Sequence, residues 1–146
     1  MSKQLRSSAI ARWYIITAAI YLCIGLAIGI GMGIAENFKY VVVHAHLNLL
    51  GWATMCLYGL VLQAFPELGA SRLVRWQFAV ANLGVVIFVP GLVLVVAGVT
   101  HVAAIVGSLI SFVGALLFVG LLIGSLRQGR GEAEQPGPSS TSMPAH

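Results

Sequence analysis

The chain has 146 residues, 59% of them hydrophobic and 8% charged, with a net charge of +4; a soluble domain carries about 25% charged residues. So little charge cannot coat a water-facing surface, which excludes a soluble globular domain and leaves the lipid bilayer as the solvent. Nor does +4 mark a nucleic-acid partner, because the basic residues sort along the chain by topology and form no single patch.

Lys3, Arg6 and Arg12 come first and lead into an apolar stretch at 13–35. Its GLAIGIGMGIA run places Gly25, Gly29 and Gly33 at i, i+4 and i+8, a spacing that lets helices pack closely or leaves room for a flat ligand. The stretch is too long and too glycine-rich for a cleavable signal, and no small-x-small site leads into a soluble domain. After Glu36 and Lys39 a second apolar stretch covers 40–65. Arg72 and Arg75 separate it from a third at 76–97, which contains Asn82 and Pro90. An uncharged turn at 98–100 then opens the fourth, 101–126, where small residues recur at Gly107, Ser111, Ala115, Gly120 and Gly124.

Each stretch can cross a hydrocarbon core that takes roughly 20 helical residues, and none alternates as a barrel strand does. The expected fold is an all-α integral membrane protein, with a four-transmembrane-helix bundle formed by residues 1–127. Arg127 and Arg130 follow the last span, and 128–146, rich in Pro, Gly and Ser, reads as a disordered tail. With basic residues before the first span, between the second and third and after the fourth, both termini are expected in the cytoplasm. Cys23 and Cys56 fall mid-span without redox or zinc spacing and read as reduced packing residues.

The second span opens with VVVHAHLNLLGW, residues 41–52. Its two histidines lie in the outer third of the membrane, at depths differing by about 3 Å. His101 opens the fourth span at the same side. Ionisable groups at such depths are rare and point to function. On a regular helix His44 and His46 point about 200° apart. His44, Asn48, Gly51 and Met55 then share one stripe, with Tyr58 beside it, and His46, Leu50, Ala53 and Leu57 share the other. One helix shows a histidine to two neighbours, and the pair cannot chelate one metal, which takes i, i+3 or i, i+4 spacing. The plainer reading is that both imidazoles are hydrogen-bonding glue between helices.

Neutral imidazole is the commonest metal ligand, and paired histidines are a frequent axial set for haem iron. Haem b is the economical cofactor, since no C-x-x-C-H is present for covalent attachment. The macrocycle is then expected against Leu50, Ala53 and Leu57, with Gly29 and Gly33 leaving room. Copper, held by His44, His46 and His101, is the alternative, but it wants three or four ligands and so several chains. No carboxylate lies within a span, and no phosphate-binding glycine loop is present.

His46-Leu47-Asn48, followed by an aromatic-rich run to Phe65-Pro66-Glu67, resembles the second helix of subunit I of haem-copper oxidases and of the related nitric oxide reductases. His44-Ala45-His46 is similar to the His-x-His of that family's tenth helix, whose two histidines serve haems on opposite faces. The close match covers about 25 residues. The family's twelve helices form three arcs of four, so the resemblance implies that this chain corresponds to one arc and that a homotrimer approximates the ring. It implies His46 as the low-spin haem ligand and His44 as ligand of the active-site haem, with His44 of one copy pairing with His46 of the next; His101, at similar depth, is the alternative second ligand. The family's copper-binding histidines and histidine–tyrosine crosslink segment have no counterpart here. The implied function is haem b binding for electron transfer or for binding NO or O₂, with an electron-transfer partner, in a bacterial cytoplasmic (inner) membrane. A copper-binding protein and a non-catalytic helper of a respiratory complex are the alternatives.

Overall fold

The structure, a computed structural model, describes residues 2–133; residues 134–146, most of the expected tail, lie outside the described residues. Four helices account for nearly all of it: α1 (Ser2–Ile34), α2 (Val41–Ala64), α3 (Leu73–Val96) and α4 (Val102–Ala133). Each contains at least 24 residues that are long and apolar enough to cross a membrane. The protein is therefore an all-helical integral membrane protein. α4 runs through Ala133, into the stretch expected to be tail. Residues such as Arg127, Gln128, Glu132 and Ala133 favour helix, and the first proline comes only at Pro136.

The connections at the histidine end are helix-stopping turns of one type. After α1, the N–H of Asn37 donates to the carbonyl of Met32 (3.1 Å) and that of Glu36 to Gly33 (3.3 Å). After α3, Val99 donates to Leu94 (2.9 Å) and Gly98 to Val95 (3.0 Å). Both patterns satisfy carbonyls that the helix end leaves open, and both require a left-handed residue. Gly98 takes it at φ 74° without cost, whereas Glu36 takes it at φ 49° with a side chain attached.

The helices pack as two tight hairpins. Between α3 and α4, small residues meet in one antiparallel register: Ala81 with Gly114, Gly84 with Ser111, Phe88 with Gly107, Gly91 with Ala104. The 3-4-3 spacing of these positions on each helix is that of a left-handed helix pair. Without a hydrophobic drive between helices in lipid, close backbone approach is what holds them together. The approach is extreme at Gly91 and Gly107, where an added Cβ would lie 2.4 Å from a backbone nitrogen of the partner helix. Ser111 Oγ, pressed against Gly84, is buried without a hydrogen-bond partner among the described residues. Gly120 and Gly124, in the same expected series, face open space.

Side-chain contacts join the hairpins at several points. The buried Tyr14 hydroxyl of α1 donates to Gln77 Oε1 of α3, and Gln77 Nε2 donates on to the Gly114 carbonyl of α4 (3.3 Å). Tyr21 donates to Asn82 Oδ1 (3.0 Å). The ring of Tyr58 on α2 lies 4.1 Å from that of Phe118 on α4. Around Tyr14 the core closes with Ala18, Met55, Leu62, Val74 and Phe118. This well-packed half is the end at which α1 begins and α4 ends; toward the histidine end a groove lies between α1 and α3.

α2 is not a regular helix. It is α-helical over Val41–His46, π-helical over Leu47–Thr54 and α-helical again over Met55–Ala64. The hydroxyl of Thr54 donates to the carbonyl of Leu49, five residues back, at 2.8 Å. An i→i+5 ladder turns roughly 80° per residue against 100° for an α-helix. The buried positions consequently fall every four residues, at Val43, Leu47, Gly51, Met55 and Gly59. In a pure α-helix that spacing would drift by about 40° per step; the wide turns in the middle bring the stripe back and keep it on one side.

Candidate functional site

The two histidines sit in the α-helical opening of α2, so they keep opposed directions and meet different helices. His44 faces α1. Its Nδ1 lies 2.8 Å from the Gly25 carbonyl, and its ring edge lies where a Cβ on Gly29 would be, 2.8 Å from Cε1. His46 faces α3, its ring edge-on to Phe88 at 5.4 Å between centroids. Its Nδ1 lies 2.8 Å from the Val42 carbonyl, one turn back on its own helix.

A carbonyl only accepts, so in both rings Nδ1 carries the proton, which in the neutral imidazole leaves Nε2 with its lone pair. That tautomer is the one in which histidine ligates through Nε2 while its other nitrogen is held by the protein. The two rings differ in what surrounds Nε2. Asn48 Nδ2, which donates to the His44 carbonyl at 2.9 Å, also stands 3.5 Å from His44 Nε2. His46 Nε2 has no hydrogen-bond partner among the described residues. Both side chains are partly buried, and His46 is the less encumbered of the two.

The glycine stripe of α1 divides. Gly25 and Gly29 are filled by the chain's own Asn48 and His44, with a Cβ at Gly25 lying 2.7 Å from the Asn48 amide. Gly33 has nothing within 4 Å of its Cβ position. The first two are seats for side chains; only the third leaves open space.

The π segment breaks both expected stripes of α2. Asn48 stays beneath His44, and Leu50 stays beneath His46. The under-turned ladder carries Ala53 and Leu57 roughly 120° away from His46, and carries Gly51 and Met55 roughly 90–120° away from His44. Leu57 is accordingly 60% exposed, while Gly51 is pressed against Tyr21 of α1. His46, Leu50, Ala53 and Leu57 thus form no single wall for a planar ligand. In the sequence nothing sets Val43, Leu47, Gly51, Met55 and Gly59 apart from the helix's other apolar stripes; their four-residue recurrence appears only in the burial.

His101 lies apart from the pair in type of setting. It is exposed at the turn before α4, where Thr100 Oγ1 accepts the Val102 N–H (3.2 Å) and the His101 carbonyl accepts from Ile105 (3.0 Å). No group of three or more His, Cys, Asp or Glu side chains comes together among the described residues. Cys23 is exposed and Cys56 half-buried, both as free thiols.

Compared with models of known protein families, with curated proteins and with solved structures, the chain matches none.

Proposed function

We propose that this is a haem b-binding membrane protein that serves electron transfer or the binding of a diatomic gas. The observation that carries the reading is the shared tautomer of His44 and His46: each imidazole gives its Nδ1 proton to a main-chain carbonyl and is left to ligate through Nε2. The donor set therefore fits haem iron. Because the rings face different helices, one chain supplies one axial ligand to any one iron, and His46 is the first candidate. A bis-histidine site takes its second ligand from His44 of a neighbouring copy, which favours a homo-oligomer, with a closed trimer as the simplest ring. The resemblance of His46-Leu47-Asn48 and His44-Ala45-His46 to haem-binding helices of the haem-copper oxidases supports the same assignment.

Within this reading the chain's own groups have distinct tasks. Val42 O and Gly25 O hold the two imidazoles against rotation, which raises the basicity of each Nε2. Asn48 clamps the backbone carbonyl of His44, and Phe88 flanks His46 and shields it from water. Bound haem would supply a redox-active iron. The basic residues near the first, second and fourth spans orient the histidine end outward, so the site lies toward the outer face of a bacterial cytoplasmic membrane.

The packing of His44 onto Gly29 favours one second reading, in which the histidines only join helices and the protein is a helper subunit. The visible spectrum of the detergent-purified protein, oxidised and reduced, separates the two. Haem ligation gives a sharp Soret band and reduced α and β bands, lost in His46→Ala and altered in His44→Ala. A colourless, metal-free protein from haem-replete cells refutes haem binding and leaves the helper reading. A colourless protein loaded with copper also refutes it, and points to copper held by His44, His46 and His101 across copies.

A further inference from the structure

Between the histidine faces of α2 lies a groove walled by α1, α2 and α3. It is an open groove, with about 520 Å³ of space in its deeper part and about 440 Å³ in its upper part. Ile28, Val43 and Val93 line both, so the two parts adjoin along the same groove. Along α1 its wall runs from Tyr21 to Ala35, about 21 Å at 1.5 Å per residue.

The chemistry changes along that length. The deeper part is aliphatic apart from Tyr21, whose hydroxyl is already committed to Asn82 at 3.0 Å. An occupant there has no side chain to hydrogen-bond with and gains nothing from polar atoms. At the mouth stand Asn37 and Tyr40. The Lys39 ammonium lies 5.7 Å from the centre of the Tyr40 ring, which keeps a positive charge at the rim. Asn37 Oδ1 accepts the Lys39 N–H at 3.0 Å and fixes the turn that places it there. Glu36, in the same turn, is exposed.

We propose that this groove holds one acyl chain of a zwitterionic phospholipid from the adjoining leaflet, its phosphate beside Lys39 and Tyr40 and its ammonium toward Glu36. Depth supports the assignment: one leaflet's share of a core roughly 30 Å thick is about 15 Å, so a groove of about 21 Å spans that depth with the headgroup level added. Volume supports it too. At about 30 Å³ for a group the size of water, the deeper part takes roughly 17 such groups, the bulk of one acyl chain. An occupant whose chain is apolar for its full length and whose head carries a phosphate beside an ammonium matches both the walls and the rim. This inference is independent of haem binding.

The test uses the full chain reconstituted in phosphatidylethanolamine vesicles with a small fraction of lipid carrying a diazirine in the acyl chain. After irradiation, adducts are mapped by peptide mass spectrometry. They should concentrate on Ile28, Val43, Val89 and Val93 and be several-fold sparser on the outward residues Leu109, Val113 and Leu116 of α4. Ile28→Trp and Val93→Trp, which fill the groove, should remove the groove adducts while those on α4 persist, the latter serving as the check that the variant is folded in the membrane. Lys39→Ala should reduce the one phospholipid per chain retained in native mass spectrometry. Adducts spread evenly over groove and α4 in the unaltered protein overturn the proposal. So do chain-to-chain crosslinks through the groove, which would make a second copy its occupant.

Discussion

A methyl group on Gly29 tests whether His44 is seated as tightly as the geometry requires. The Cβ of Gly29→Ala would stand 2.8 Å from His44 Cε1 and 3.2 Å from Nδ1. Carbon contacts are comfortable at about 3.5 Å and beyond, so the imidazole must retreat by roughly 0.7 Å or the helices must part. The first route stretches the Nδ1–H···O bond to Gly25, now 2.8 Å, past the normal limit of about 3.2 Å. Losing that bond costs about 1 kcal/mol, and overpacking costs about 1–3 kcal/mol. Alanine returns about 1 kcal/mol through helix propensity. The net is a destabilisation of about 1–3 kcal/mol. Gly33→Ala is the internal control, because nothing lies within 4 Å of it; it should stabilise by about 0.5–1 kcal/mol. Unfolding in mixed detergent micelles, with absorbance per chain recorded on the same samples, measures both variants. Equal stability of the two would refute the seating of His44 on Gly29. His44→Ala should erase the penalty at Gly29, since the clashing ring is then absent.

Other substitutions probe the rest of the bundle by the same unfolding assay. Tyr14→Phe strands the buried Gln77 carbonyl oxygen and should cost about 1–3 kcal/mol; adding Gln77→Leu should cost less than the sum, and strict additivity would show that the two groups do not interact. Gly91→Leu and Gly107→Ala force α3 and α4 apart, since the new Cβ would lie 2.4 Å from the partner's backbone nitrogen, and should each cost about 1–3 kcal/mol or more. Gly120→Ala, with open space around it, should cost nothing; similar losses at all three positions would refute the close register. Glu36→Gly removes the side chain from a left-handed position at φ 49° and should raise stability by about 1 kcal/mol. An unchanged thermal midpoint would mean that the turn carries no strain.

The expected function rests on two short motifs, and the structure adds a physical condition to them. Two imidazoles in lipid must each satisfy one nitrogen, and here both do so with main-chain carbonyls. Packing then makes the pair unequal: His44 shares its surroundings with Gly29 and Asn48, whereas His46 stands edge-on to Phe88 with its Nδ1 on its own helix's Val42 carbonyl. A helical wheel treats the two residues alike, because it has no neighbouring helix in it.

Composition and charge alone determined the solvent, the number of helices and their approximate ends. Those properties are set residue by residue, by the cost of placing charge in hydrocarbon and by the length needed to cross it. Sequence also placed His44 and His46 on different faces, since six α-helical residues from Val41 to His46 are enough to define a direction. Only the tertiary structure decided what lies below them. Whether Leu47–Thr54 winds as α or π depends on which winding keeps Gly51 against Tyr21 and Met55 in the core, a balance over contacts distant in sequence. Likewise, glycines at the same spacing became a seat at Gly29 and open space at Gly33, because only one of them has another helix's side chain against it.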